Sequence, residues 1–148
     1  MTRADAWRRA VIAAALFFTL DQVTKQIVVA SIKRGHSINV FFGVDLTYVR
    51  NKGVAFGALA GSGGTLVVGL TIAALVLLVA YFTLRSDTPW LWLPVGIIAG
   101  GALGNLADRA RDGAVIDFID PVLWPAFNFA DMGIVLGILG LLYVVDRR

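Results

Sequence analysis

The stretch TLVVGLTIAALVLLVAYFTL, Thr65 to Leu84, decides the fold class. It carries no charge and has the roughly 20 apolar residues that a helix needs to cross the hydrocarbon core of a bilayer. Working outward, a second uncharged run extends from Trp90 to Leu106, opened by Pro89-Trp90-Leu91-Trp92, whose indoles suit the headgroup level. Upstream, the first apolar segment, Ala10 to Ile32, carries two charges, Asp21 and Lys25. The last uncharged run, Met132 to Val145, has only fourteen residues. To span, that helix must begin near Phe127 and take Asn128 and Asp131 with it. The expected fold is membrane all-α, with four transmembrane helices.

Composition agrees. The chain has 148 residues, 58% of them hydrophobic, with a mean hydropathy of +0.79, too apolar for a soluble domain. One membrane domain over residues 1–148 is expected. A net charge of +3 is too modest to point to nucleic acid. Without cysteine there is no thiol nucleophile, thiolate site or disulfide frame, and His36 is the only histidine, which rules out a multi-histidine metal site. A cleavable signal peptide competes for the N-terminus, since Arg3, Arg8 and Arg9 precede Val11 to Leu20. No small-residue cleavage site follows, so the segment is read as a retained helix.

Four spans place both termini on one side. Their side holds Arg3, Arg8, Arg9, Arg85, Arg147 and Arg148; the other holds Lys33, Arg34, Arg50, Lys52, Arg109 and Arg111. The counts balance, and the charges packed at both chain ends favour cytoplasmic termini. Between helices 1 and 2, Ile38, Val40, Phe42, Val44, Leu46 and Tyr48 alternate with mixed residues, the period of a strand with one covered face. This piece is expected as a small extracytoplasmic β platform, bent near Gly43, because an open sheet edge cannot face lipid. Gly57, Gly61, Gly63 and Gly64 read as a flexible return to helix 2.

Chemistry is sought among the charges that a membrane makes costly, at least ~2.5 kcal/mol for each ionisable group at depth. Asp117, in Val115-Ile116-Asp117-Phe118-Ile119, and Asp131, in Phe127-Asn128-Phe129-Ala130-Asp131, flank a short loop and are able to meet at one membrane face. Two adjacent carboxylates share a proton near neutral pH. Such a pair suits amide hydrolysis without metal or other cofactor, the ionised member activating water and the protonated one donating to the scissile carbonyl. The competing reading is that each Asp caps a helix or pairs with a nearby Arg. Asn105 and Arg109 share a helical face and suit a substrate backbone or lipid headgroup, although Arg109 pairing with Asp108 or Asp112 at the surface is the plainer reading. Asp21 and Lys25, four apart, read as a buried ion pair, Asn51-Lys52-Gly53 as a turn, and Gly100, Gly101 and Gly104 as close-packing positions.

These residues resemble the lipoprotein signal peptidases, or signal peptidase II, aspartic proteases of the bacterial inner membrane. The likeness rests on four blocks in order: Asp21-Gln22-Val23-Thr24-Lys25; Arg50-Asn51-Lys52-Gly53-Val54-Ala55-Phe56-Gly57; Gly100 to Arg109 continuing to Val115-Ile116-Asp117-Phe118; and Phe127 to Asp131. It implies an active site near the periplasmic face and cleavage before the diacylglyceryl-modified cysteine of a prolipoprotein. By motif, Asp117 and Asp131 would be the catalytic dyad, Asn51, Gly53, Asn105, Arg109 and Asn128 would line the substrate site, and Asp21 with Lys25 would support it. Membrane lipids and cyclic peptide inhibitors such as globomycin are the further expected partners. Val54 and Ile116 depart from the family's usual Ala and Val without touching a charged or amide group. The alternative from another class is a small proton-coupled transporter using intramembrane aspartates.

Overall fold

Helix α1 starts where Thr2 accepts the Asp5 backbone N–H, satisfying one of the unpaired donors of a first turn. It runs Arg3–Ser31, about 44 Å at 1.5 Å per residue, more than the hydrocarbon core requires. The computed structural model describes residues 1–53 and 63–147. It adds α2 (Gly63–Arg85), α3 (Trp92–Asp112) and α4 (Phe129–Asp146). Among the described residues α1, α2 and α4 are long and apolar enough to cross a membrane. Helix α3 falls outside that group because its last turns carry Asn105, Asp108, Arg109, Arg111 and Asp112.

Helix α3 is the centre of the packing. An added Cβ at Gly96 would lie 2.6 Å from the Ala10 carbonyl oxygen, and one at Gly100 would lie 2.5 Å from that of Ala14. On the other side Gly101 would meet the Ala130 oxygen of α4 at 2.6 Å. These glycines allow backbone-to-backbone approach where lipid supplies no hydrophobic drive between helices. Helix α2 joins beside the Gly96 contact, where Phe82 packs with Ala6, Ala10, Leu91 and Val95. Both Gly63 and Gly64 belong to α2, so the expected glycine-rich return is shorter there; Gly57 and Gly61 lie outside the described residues.

The platform is a three-stranded antiparallel sheet, ordered β1 (Ser37–Phe41), β2 (Val44–Asn51), β3 (Val115–Pro121). The third strand comes from between α3 and α4, not from the stretch between helices 1 and 2 that the sequence reading marked. The single covered face is also revised. The chain reverses at Gly43, φ +75°, leaving Phe42 at the turn and 99% exposed, while Ile38 and Val40 on β1 are exposed too. Leu46 and Tyr48 on β2 do face inward, packing with Phe118 and Ile119 of β3 on Val28, Ile32 and Phe129. The sheet therefore sits over the C-terminal end of α1 and the start of α4. The Val122 N–H donates to the Gly43 carbonyl at 3.0 Å, tying the hairpin tip to exposed Leu123 and Trp124.

Candidate active site

The site forms where the sheet meets the ends of three helices. Strand β3 carries Asp117 opposite Val49 of β2, and Asp117 is buried. Its Oδ2 accepts from Asn51 Nδ2 at 2.9 Å and its Oδ1 from Asn128 Nδ2 at 2.7 Å. Asn128 is the N-cap of α4: its Oδ1 accepts the Asp131 backbone N–H at 3.0 Å, and Asp131 Oδ2 accepts the Asn128 N–H at 3.2 Å. This reciprocal capping realises the plainer reading of Asp131 without removing it from the site. Its other oxygen, Oδ1, accepts from Asn105 Nδ2 at 2.8 Å. Asp117, Asp131, Asn51, Asn105 and Asn128 are thus brought together.

Gly53 acts through Asn51. At φ +82°, a region that costs residues with a Cβ, its N–H donates to Asn51 Oδ1 at 2.8 Å. That leaves the Asn51 NH2 for Asp117. The turn read from the sequence is therefore also part of the site.

Arg109 does not follow its plainer reading as a surface ion pair. Among the described residues it makes no ion pair with Asp108 or Asp112: Arg111 takes Asp108 at 2.9 Å and Arg50 lies 3.8 Å from Asp112. Arg109 Nη1 instead donates to the Asn105 carbonyl at 3.3 Å, its buried Nε has no partner among the described residues, and the side chain lines a cavity of about 330 Å³ with Gly64, Thr65, Val68 and Gly113. Its charge is close enough to act on Asp131, Asp117 and Asp108.

Beneath lies the expected ion pair, Lys25 with Asp21 at 2.8 Å, extended by Asp108 at 2.8 Å. All three side chains are fully buried. Asp21 Oδ1 accepts the Ala130 N–H at 2.9 Å and Asp108 Oδ2 the Ile116 N–H at 3.3 Å. The cluster thereby grips the residue before each site aspartate. Sequence reading weighed Asp108 only as a surface partner and gave Gln22 no role, although Gln22 Nε2 donates to Asp108 at 3.0 Å. Their places in the quoted motif blocks were the available signal.

Burial pushes the Asp117 carboxyl up to about 6, with the charge of Asp131 adding to the rise and the Asn51 and Asn128 hydrogen bonds opposing it. Asp131 is less enclosed and faces an apolar groove of about 380 Å³ with Trp124, Phe127, Met132, Val135 and Leu136. Two carboxylates held by amide donors, one buried and one open to an apolar groove, are equipped for acid–base work beside an apolar surface. Among the described residues no group of three His, Cys, Asp or Glu is placed to hold a metal ion.

Known proteins resemble this chain closely. A family model described as signal peptidase (SPase) II matches residues 13–146. A protein named lipoprotein signal peptidase from Moorella thermoacetica is 43% identical over 129 residues, covering 85% of each chain. One of the same name from Pelotomaculum thermopropionicum is 44% identical over 127 residues, covering 83% of this chain and 82% of its own. A solved structure described as a bacterial membrane enzyme superposes with a TM-score of 0.80 at 32% identity, covering 92% of this chain and 91% of that one.

Proposed function

The chain belongs to the signal peptidase II family, membrane peptidases that release the signal peptide of lipoproteins, and we propose that here Asp117 and Asp131 are the catalytic pair. The observation that carries this is Asn128, a single side chain that donates to Asp117 and caps the turn bearing Asp131, so that both carboxylates are oriented from one point.

In the proposed cycle the pair holds one proton. Asp117 is the member that takes it as pH falls through about 6. The ionised carboxylate removes a proton from water; the hydroxide attacks the scissile carbonyl carbon; the protonated carboxyl donates to the carbonyl oxygen as charge develops there. Collapse returns a proton to the leaving amine and restores the pair. Asn51, Asn105 and Asn128 hold the aspartates, and Arg109 offers a cation to the substrate backbone or a headgroup.

The groove beside Asp131 suits the acyl chains of a diacylglyceryl-modified cysteine. A cyclic peptide inhibitor such as globomycin would compete at the same place. With about 32 Å of length for its 21 residues, α3 is the fourth span. The sheet and site then lie together at the end away from both termini, at the outer face of the bacterial inner membrane if the termini are cytoplasmic.

The test is cleavage of a diacylglyceryl-modified prolipoprotein by wild type, Asp117→Asn and Asp131→Asn. Both folded variants are expected to lose at least ~100-fold in kcat. A variant that cuts at the wild-type rate removes its residue from the mechanism, and a wild type that cuts only with added metal removes the mechanism itself.

A further inference from the structure

We infer that Lys25 is a positioning residue for the reaction: it fixes which way the Asn105 amide faces, so that an N–H and not a carbonyl oxygen meets Asp131. The inference rests on the aspartate-pair reading above.

Lys25 is fully buried, and an ammonium donates three hydrogen bonds and accepts none. Its Nζ reaches Asp21 Oδ2 and Asp108 Oδ2, both at 2.8 Å, and Asn105 Oδ1 at 3.0 Å. Reversing the Asn105 amide would set its NH2 against that ammonium and its oxygen against the Asp131 carboxylate. With the oxygen held by Lys25, the NH2 is committed to Asp131 Oδ1 at 2.8 Å.

The other site amides are held the same way, by the Asp131 N–H at Asn128 and the Gly53 N–H at Asn51. Asn105 alone is held by side chains from other helices, Lys25 of α1 foremost. Asn128 Nδ2 also donates to Asn105 Oδ1, at 3.1 Å, while its other hydrogen goes to Asp117, at 2.7 Å, a second restraint in the same sense. The charged donor is the stronger restraint. Asp21, Asp108, Asp117 and Arg109 are the other charged groups near this chain of bonds, and none of them makes a hydrogen bond to the Asn105 side chain among the described residues.

A mutant cycle on lipoprotein cleavage tests the inference, with Lys25→Met, Asn105→Ala and the double variant beside Asp131→Asn. Lys25→Met and Asn105→Ala are each expected to lower kcat about 10- to 100-fold, the worth of a hydrogen bond to a charged group, with KM changed less. Once Lys25 is gone the amide no longer presents its donor reliably, so Asn105→Ala in that background should cost no more than about twofold further. A purely structural lysine predicts instead that the two losses multiply, and that result overturns the inference, as does a folded Lys25→Met with wild-type kcat.

Where Lys25→Met leaves Asp21 and Asp108 uncompensated and the chain unfolded, the neutral set Asp21→Asn, Lys25→Met, Asp108→Asn takes its place. Buried ions are best removed together. Full activity in Asp131→Asn would refute the aspartate-pair reading, whereas an inactive Asp131→Asn with multiplying losses refutes the role of Lys25 alone.

Discussion

Replacing Asp117 by Asn separates the demands of the reaction from those of the fold. The folded carboxyl titrates at about 6 against an ordinary value of 3.8. Between these values the folded chain keeps a proton that the unfolded chain releases, so stability falls as pH rises. The contribution is complete below 3.8 and lost once pH has passed through about 6. At about 1.4 kcal/mol per pH unit the loss is about 3 kcal/mol.

Asp117→Asn has nothing to titrate there. Its amide oxygen accepts from one of Asn51 and Asn128, and its NH2 faces the other donor, a pH-independent cost of about 1–3 kcal/mol. From acid to neutral pH the wild type should therefore lose about 3 kcal/mol relative to the variant, which closes the starting gap and brings the two curves together or across one another. Reversible denaturation in mixed micelles, followed by tryptophan fluorescence from pH 3.5 to 7.5, reads this directly. Parallel curves for wild type and variant would refute the account of Asp117, whatever the cleavage assay shows.

Other expectations follow from single contacts. An added Cβ at Gly104 runs into Asp21 Oδ2, while the same change at Gly69 meets nothing within 4 Å; Gly104→Ala should cost about 1–3 kcal/mol of stability and Gly69→Ala should gain up to about 1 kcal/mol, both measurable as thermal midpoints. Gly53→Ala forces a Cβ into the left-handed region at about 1–2 kcal/mol and frees the Asn51 amide, so cleavage should slow while the helical circular dichroism stays unchanged. Cleavage in excess EDTA should proceed at the untreated rate, and a chelator-sensitive rate restored by one divalent ion would contradict a metal-free pair.

Much of this architecture could be read from residues in order. An uncharged run of hydrocarbon-core length leaves a helix little choice but to span, and Asp21 and Lys25 sit one helical turn apart, which makes a buried pair readable before any partner is known. Asp131 was also placed correctly at the first turn of α4, because the apolar run behind it is too short without it. Strand β3 was not legible. Val115 to Pro121 is a short apolar run around one Asp, a pattern shared by buried strands and helix segments, and its partner strand lies 66 residues away at the Asn51–Asp117 bond. The pairing of the α3 cations failed for a similar reason. Asp108 and Asp112 both lie within a turn of Arg109, yet the partner of each is settled by helix phase and by where Arg50 returns from the sheet.

The hydrogen bond from Ala130 to Asp21 joins positions 109 apart in the chain, and β3 is added to a hairpin made long before it. Until the last helix is in place, Asp21 has Lys25 beside it but lacks the Ala130 N–H, and Asn105 lacks Asp131. A chain that stops short of α4 lacks Asp131 and the Asn128 cap, so the proposed pair is completed only when that helix is in place.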